Sequence, residues 1–318
     1  MHSTVLVMAT AICASAVIRS SPRRIGSWFV EGELGSGGMA TVHGVVHSKL
    51  GGRAAIKLAH RNMFTETYTP AIFLREARVA RSIDHPGVVK ITSTGMHEGR
   101  PYIVMERLDG PSLGSLVDRG PMDRARALEI LIELCQILGA AHHAGVVHRD
   151  LKLDNIVVTD RVHLVDWGVA HVAGEDDPFR GLIAGTLTYV APELIRGEDV
   201  TPAADVYSLA VLAYHLLGRR PPFAAGSDLA LISMHLRVEP PRASCAWPDM
   251  PGRLDDLMFE MLAKHPDDRP GLQTIEWGLR EALAELSPLP RTSWWRRVVQ
   301  RLIPTTRPSG VGMHTESH

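Results

Sequence analysis

The sequence predicts an α+β fold in two unequal lobes, a small antiparallel sheet carrying one main helix and then a larger, mostly helical lobe. Three observations predict it. Residues 25–60 read as strand, glycine turn, strand, strand, and Pro101 to Glu106 adds a further apolar strand. Between them, 70–83 has the character of a helix, with Leu74, Ala77 and Ala80 as its apolar positions. From Arg124 the apolar residues recur at helical spacing through Ala127, Ile130, Leu131, Leu134, Ile137 and Leu138, and more helices follow, one opening at Asp205 and stopped by Gly218 and others at 229–236, 254–262 and 274–286. The 318 residues are enough chain for two such lobes, or for one large domain plus tails.

The totals exclude several classes. A hydrophobic fraction of 45% with a mean hydropathy of +0.01 is that of a globular chain, not a disordered one. A formal net charge of -1 gives no reason to expect a nucleic-acid partner. Three cysteines, Cys13, Cys135 and Cys245, are odd in number and far apart, which suits buried thiols in a reducing compartment rather than a disulfide framework. The 16 histidines are scattered without a compact metal-ligand spacing.

Taken in order, residues 1–24 form an apolar N-terminal extension. Arg19, Arg23 and Arg24 follow its apolar run, whereas a secretory signal carries positive charge before it. The run is shorter than the roughly 20 apolar residues of a spanning helix. A segment outside the fold, a helix packed on the small lobe and a weak anchor with its basic end in the cytoplasm all fit. Next, Leu34-Gly35-Ser36-Gly37-Gly38-Met39-Ala40-Thr41-Val42 is a glycine-rich hairpin. Gly35 and Gly37 would let backbone approach phosphate oxygens, although such a hairpin can equally be a plain turn. It is not a Walker loop, because no Gly-Lys-Ser/Thr closes it. Ala54-Ala55-Ile56-Lys57-Leu58 places one charge in an apolar strand. The helix at 70–83 carries Glu76, with Asp84-His85-Pro86 to end it.

The large lobe contains the stretch that carries the chemistry, His148-Arg149-Asp150-Leu151-Lys152-Leu153-Asp154-Asn155, followed after two short apolar strands by Asp166-Trp167-Gly168. Farther on stand Gly185-Thr186, Ala191-Pro192-Glu193, Asp205 and His265-Pro266-Asp267-Asp268-Arg269-Pro270. Singly, each is commonplace; an Arg-Asp pair is usually a surface ion pair, and Asp-x-Gly is usually a turn. Together and in this order, from about Trp28 to Leu286, they closely resemble the bacterial eukaryotic-like (Hanks-type) serine/threonine protein kinases.

That resemblance implies the bilobal protein-kinase fold, with a kinase domain at 25–287 divided into an N-lobe at 25–108 and a C-lobe at 109–287. It implies transfer of the ATP γ-phosphoryl group to Ser or Thr hydroxyls of protein substrates. Asp150 would orient the acceptor hydroxyl and take its proton. Lys152 would steady the transferring group, and Thr186 would hydrogen-bond the catalytic acid. Asn155 and Asp166 would hold Mg2+, with Mn2+ as a substitute. ATP would lie against Leu34, Gly35, Ser36, Gly37, Gly38, Val42 and Ala55, with Lys57 held over its phosphates by Glu76. Met105 would guard the back of the pocket, and backbone between Glu106 and Leu108 would read the adenine edge. Arg149, Asp177, Glu193, Asp205 and Arg269 would have structural or regulatory roles. Asp205 would cap the loop backbone, and Arg269 would clamp Glu193. Intact Lys57, Asp150, Asn155 and Asp166 argue against a scaffold that has lost turnover. Lys152, Ala191-Pro192-Glu193 and Arg269 argue against a kinase of small molecules.

Three departures from the family pattern stand out. Trp167 replaces the usual phenylalanine after the metal-binding aspartate, and Ala40 replaces the third glycine of the loop. The segment between Gly168 and Gly185 has no Ser, Thr or Tyr, where family members with an Arg-Asp loop usually carry a phosphoacceptor gathered by that arginine. It offers Glu175-Asp176-Asp177-Pro178 instead. The expectation is that these carboxylates, Asp177 foremost, replace phosphate on Arg149; an acidic, solvated loop tip is the alternative. Typical bacterial members add a membrane span and external sensor domains, and the short length predicts neither here.

Residues 288–318 read as a tail. Within it, Trp294, Trp295, Val298, Val299, Leu302 and Ile303 share one side of a helix at 294–303, with Arg296, Arg297, Gln300 and Arg301 opposite. This suits a peripheral membrane contact, a protein contact, or docking on the large lobe. A cytoplasmic location, with or without membrane association, is the expectation.

Overall fold

The computed structural model describes residues 24–66, 68–182 and 186–286. The small lobe is a six-stranded antiparallel sheet in the order β1-β2-β3-β4-β6-β5, formed by β1 (Arg24–Ile25), β2 (Trp28–Ser36), β3 (Ala40–His47), β4 (Arg53–Ala59), β5 (Ile91–His97) and β6 (Arg100–Met105). Register decides which face each side chain takes, because directly paired residues project to the same side. Ala40 pairs with Ala59, Val42 with Lys57, Ala55 with Met105 and Lys57 with Ile103, so all of these share one face. On that face Ala40, Ala59 and Ile103 pack with Phe73 and Ala77 of α1 (Pro70–Ser82). The opposite face has its own core of Ile25, Val45, Ala54, Ile56, Leu58 and Val104.

α1 starts at a proline, whose fixed φ suits the first helical turn. It buries Phe73, Glu76, Ala77 and Ala80 along one stripe, so a carboxylate is carried into an otherwise apolar contact. The helix closes at Ser82, one residue short of the expected end, ahead of the restricted backbone before Pro86.

The large lobe begins with α2 (Leu113–Asp118), capped by Ser112, and α3 (Arg124–His143), whose cap Asp123 accepts from the Arg126 amide at 3.1 Å. β7 (Val146–Val147) pairs with β10 (His171–Val172), and β8 (Ile156–Val158) forms a hairpin with β9 (Val162–Leu164). α4 (Pro192–Arg196), α5 (Ala203–Gly218), α6 (Asp228–Arg237), α7 (Gly252–Met261) and α8 (Leu272–Leu286) complete the lobe. α5 is buried on nearly every side, as an all-round apolar helix must be, and α3 packs between it and α8. One continuous core joins the lobes, running from Val79, Ala80 and Ile83 through Trp167 to Leu283.

One expectation is corrected. Cys135 is buried in α3, but Cys245 is exposed: it lies in a short helical turn where Ala243 and Trp247 take the inward positions. Among the described residues no helix is long and apolar enough to cross a membrane. The extension before Arg24, including Cys13, and the amphipathic stretch 294–303 lie outside the described residues.

Two glycines give a paired test of this packing. A methyl on Gly110 would stand 2.2 Å from the Val158 carbonyl oxygen, because the connection between the lobes runs hard against β8. A methyl on Gly139, within α3, would meet nothing within 4 Å. Urea unfolding should show Gly110→Ala destabilised by about 1–3 kcal/mol. Gly139→Ala should be stabilised by about 0.5–1 kcal/mol from reduced unfolded-chain entropy.

Candidate active site

Asp205, in the first turn of α5, is fully buried and sets the shape of the loop at 148–155. Its Oδ2 accepts from the His148 amide at 2.9 Å and from His142 Nε2 at 2.8 Å, and its Oδ1 accepts from the Arg149 amide at 3.0 Å. These bonds hold Arg149 at φ +65°, a region costly for a non-glycine residue. Burial works to raise the Asp205 carboxyl, but the bond and charge of His142, together with His148 and its amide, outweigh it and the net shift is downward. His148 is fixed as well. Its Nδ1 accepts from the Asp150 amide at 3.2 Å, so Nε2 carries the proton given to the Val165 carbonyl at 3.3 Å.

The loop aims Asp150 at the cleft with both oxygens engaged. Lys152 Nζ and Asn155 Nδ2 donate to Oδ2 at 2.6 and 3.0 Å. Asn155 also donates to the Asp150 carbonyl at 2.9 Å. Thr186 reaches Oδ1 at 3.0 Å, but through its backbone amide and not its hydroxyl. The bond is a backbone one because Thr186 is extended just before the short helical turn Leu187–Tyr189, which turns its N–H toward the loop. Its neighbour Gly185 lies outside the described residues.

Across the cleft, Lys57 Nζ donates to Glu76 Oε2 at 2.7 Å and to Asp166 Oδ1 at 2.8 Å. A cation from β4, a carboxylate from α1 and a carboxylate from the large lobe thus meet at one ammonium. Burial alone would lower the Lys57 ammonium, yet Asp166 and Glu76 together hold it above its ordinary value. Burial pushes Glu76 up to about 7 against the pull of Lys57. Burial also pushes Asp166 upward, but Lys57 outweighs it and the carboxyl lies at about 2. Asp166 is therefore the ionised partner across the neutral range. Asp166 sits at φ +65°, and a methyl on Gly168 would come within 3.2 Å of its Oδ1 and 3.3 Å of Glu76 Oε2, so any side chain there would crowd both carboxylates.

Of the expected nucleotide-binding residues, Val42, Ala55, Lys57 and Met105 share the inward sheet face. Gly35 and Ser36 close the β2–β3 hairpin, with Gly37 accepted as donor by the Ala40 carbonyl at 2.9 Å. Leu34 is half exposed, and its side chain leans over Gly44. The Glu106 amide is taken by the Lys90 carbonyl at 2.9 Å, while among the described residues the Glu106 carbonyl and the Leu108 amide have no internal partner. That acceptor and donor are spaced along one extended stretch at the cleft edge. Asn155 Oδ1 and Asp166 Oδ2 are likewise without an internal hydrogen bond. Two hard oxygen donors suit a magnesium ion that draws its remaining ligands from phosphates and water. Among the described residues no cluster of three or more His, Cys, Asp or Glu side chains forms a self-contained metal site.

The segment beyond Gly168 is bound by ion pairs. Arg149 Nη1 and Nη2 donate to Asp177 at 2.7 and 3.1 Å, and Asp176 beside it is exposed and makes no ion pair among the described residues. At the end of the segment, Arg269 Nη1 and Nη2 grip Glu193 at 2.6 and 2.7 Å with both side chains buried. Trp167 is buried in the core that includes Val79, Ala80 and Ile83 near the end of α1, edge-on to His148 at 4.6 Å.

Two participants, His142 and His60, were not expected at the site, and a third, Glu175, has partners other than the expected Arg149. Glu175 pairs with Arg75 and Arg78 of α1. His142 supports Asp205. His60 contacts Thr41 at 3.0 Å and the Gly38 carbonyl at 3.1 Å, fastening the glycine hairpin from below. Each is far in sequence from its partner and belongs to no local motif.

Comparison with known proteins adds the following. The Protein kinase domain family model matches residues 28–277. A probable serine/threonine-protein kinase of Streptomyces coelicolor is 36% identical over 259 residues, covering 78% of this chain and 38% of that protein. Serine/threonine-protein kinase Pkn1 of Myxococcus xanthus is 35% identical over 285 residues, covering 86% of this chain and 41% of that protein. The chain thus spans about two fifths of the length of these relatives. The crystal structure of the Mycobacterium tuberculosis PknI kinase domain, a cysteine-to-alanine variant, superposes with a TM-score of 0.63 at 26% identity, covering 87% of this chain and 99% of that one.

The Asp205 anchor makes a pH prediction. A carboxylate with a depressed native pKa contributes stability above its unfolded value of 3.8, and that stability is lost as pH falls through the native value. Unfolding free energy measured by urea from about pH 6 down to about pH 3 should fall in the wild type, and Asp205→Asn should be less stable at neutral pH with a shallower acid limb.

Proposed function

The chain belongs to the protein kinase domain family, and from that premise we propose that it is a serine/threonine protein kinase, moving the γ-phosphoryl group of ATP to Ser or Thr hydroxyls of protein substrates. One observation carries the reading: Lys57 touches Glu76 and Asp166 at once, at 2.7 and 2.8 Å, while Asp150 stands ready with Lys152 and Asn155 around it. The groups that would hold nucleotide and the groups that would act on an acceptor are thus already assembled.

In this reading Asp150 accepts the proton of the acceptor hydroxyl as the oxygen attacks the γ-phosphorus. The bond from that phosphorus to the β–γ bridging oxygen breaks, and ADP leaves. Lys152, 2.6 Å from the Asp150 carboxylate, places its charge where the transferring group gains negative density. Lys57 binds the α and β phosphates, and Glu76 keeps it from swinging away. The Glu106 carbonyl and Leu108 amide are the free backbone groups for the adenine edge, with Met105 behind them. Asn155 and Asp166 would hold Mg2+ or Mn2+, which when bound neutralises charge on the phosphate oxygens. Little covalent assistance is required, so alignment and charge carry the rate. The catalytic unit spans 25–287, with the small lobe ending at Leu108, and it acts in the cytoplasm, where ATP is supplied.

Incubation with radiolabelled ATP, Mg2+ and a generic basic protein tests this. Wild type should label itself or the substrate. Lys57→Met, Asp150→Asn and Asp166→Asn should each lower transfer by at least about 10²-fold. Wild-type labelling no greater than that of Asp150→Asn would show a kinase-fold binding protein instead.

A further inference from the structure

Building on the kinase reading, we propose that Glu175 and Asp177 are positioning residues that together hold α1 and the segment after Gly168 in the reacting arrangement, so that the enzyme needs no phosphorylation of that segment.

The first clasp is at Arg149. Its backbone is pinned by Asp205 and its Nε donates to the Val169 carbonyl at 2.7 Å, so the guanidinium cannot turn out to solvent. The side chain is only 4% exposed. A guanidinium stays charged at any ordinary pH, and one buried this deeply requires an anion. Asp177 supplies it through two hydrogen bonds. Burial pushes the Asp177 carboxyl up, but the bonds and charge of Arg149, joined by the Phe179 amide and His171, together hold it below its ordinary value. Asp177 Oδ1 also accepts from the Phe179 amide at 3.0 Å, which folds the next residues into a tight turn. Phe179 is then buried, with the Arg149 guanidinium 5.6 Å from its ring centre and Tyr68 of the small lobe 6.4 Å away.

The second clasp is at α1. Glu175 accepts from both terminal nitrogens of Arg78, Nη2 at 3.0 Å, and lies 3.4 Å from Arg75 Nε. Arg75 also donates to the Ala170 carbonyl at 2.7 Å. These arginines flank Glu76 in sequence, and Glu76 is the residue that holds Lys57. A movement of α1 that withdraws Glu76 carries Arg75 and Arg78 with it and pulls against the Glu175 pairs. The two clasps are two residues apart on one strand of backbone. They link the Lys57 site to the Asp150 site through the segment itself.

The anion is permanent. No Ser, Thr or Tyr stands between Gly168 and Gly185, so no hydroxyl there can receive phosphate. One carboxylate is a weaker counterpart to a guanidinium than a phosphate group, which carries about -1.5 to -2 charge at neutral pH. Two carboxylates on two arginine sites restore that charge. Asp176, between them, is exposed and serves neither clasp, so position and not net acidity distinguishes the three.

The test uses the full chain, with kcat and KM for ATP measured on a generic basic protein before and after phosphatase treatment. Wild-type kcat should survive the phosphatase. Asp177→Asn and Glu175→Gln should each lower kcat about tenfold, in the range of ordinary coupling energies, with a smaller change in KM. Asp177→Glu should recover part of the loss, and Asp176→Asn should match wild type. Glu175 is partly exposed, so Glu175→Gln keeps the test decisive should Asp177→Asn unfold. The proposal is overturned by loss of wild-type activity on phosphatase treatment, or by wild-type kcat in Glu175→Gln. If wild type never exceeds Asp150→Asn, the kinase reading itself fails, which is a separate result.

Discussion

A fully buried carboxylate with no water to solvate it must find donors, and Asp205 finds them in the backbone of the loop it faces. The amides of His148 and Arg149 are drawn to its two oxygens, and the left-handed turn at Arg149 follows from that. The turn sends Arg149 one way, toward the segment after Gly168, and Asp150 the other, toward the cleft. Without the anchor, neither the Asp150 cluster nor the Arg149 pair would have a fixed origin. The anchor rests on α5, the most completely buried helix, so the loop inherits the rigidity of the large-lobe core.

The small lobe is tied to the large one by a shared apolar core and by ion pairs at the cleft. Its two sheet faces have separate small cores, and the shared core with the large lobe enters through the end of α1 and through Val88 beyond it. Lys57 bridges the remainder. Its two carboxylate partners come from different lobes, and only one of them, Asp166, is held strongly ionised. An ammonium placed so is a point of balance between lobes. The segment on the far side adds Glu175 to Arg75 and Arg78, so α1 is held at its inner and outer faces alike.

Much of this was legible in the residues themselves because the chemistry is local in sequence. Asp150, Lys152 and Asn155 meet within one turn of chain, and strand register alone puts Val42, Ala55 and Lys57 on one face. Helix positions followed from apolar spacing, with ends off by one or two residues where capping decides them. The partners of long-range pairs were less accessible. Nothing near His142 announces Asp205, and nothing near Arg78 announces Glu175, because a charged residue on a helix reads as solvated until the fold brings its partner. Thr186 was expected to bond Asp150, but which of its atoms does so was not legible, since backbone N–H groups leave no trace in residue identity. Cys245 was misjudged for a related reason: a short turn between helices has no periodicity from which to infer burial.

The clasp at Asp177 has a consequence for how a cell could govern such an enzyme. A counter-anion encoded in the gene is present from the moment the chain folds, and no hydrolase can strip it away. Control by a phosphatase at that arginine is then closed, and any switch has to act on another part of the molecule or on the supply of substrate.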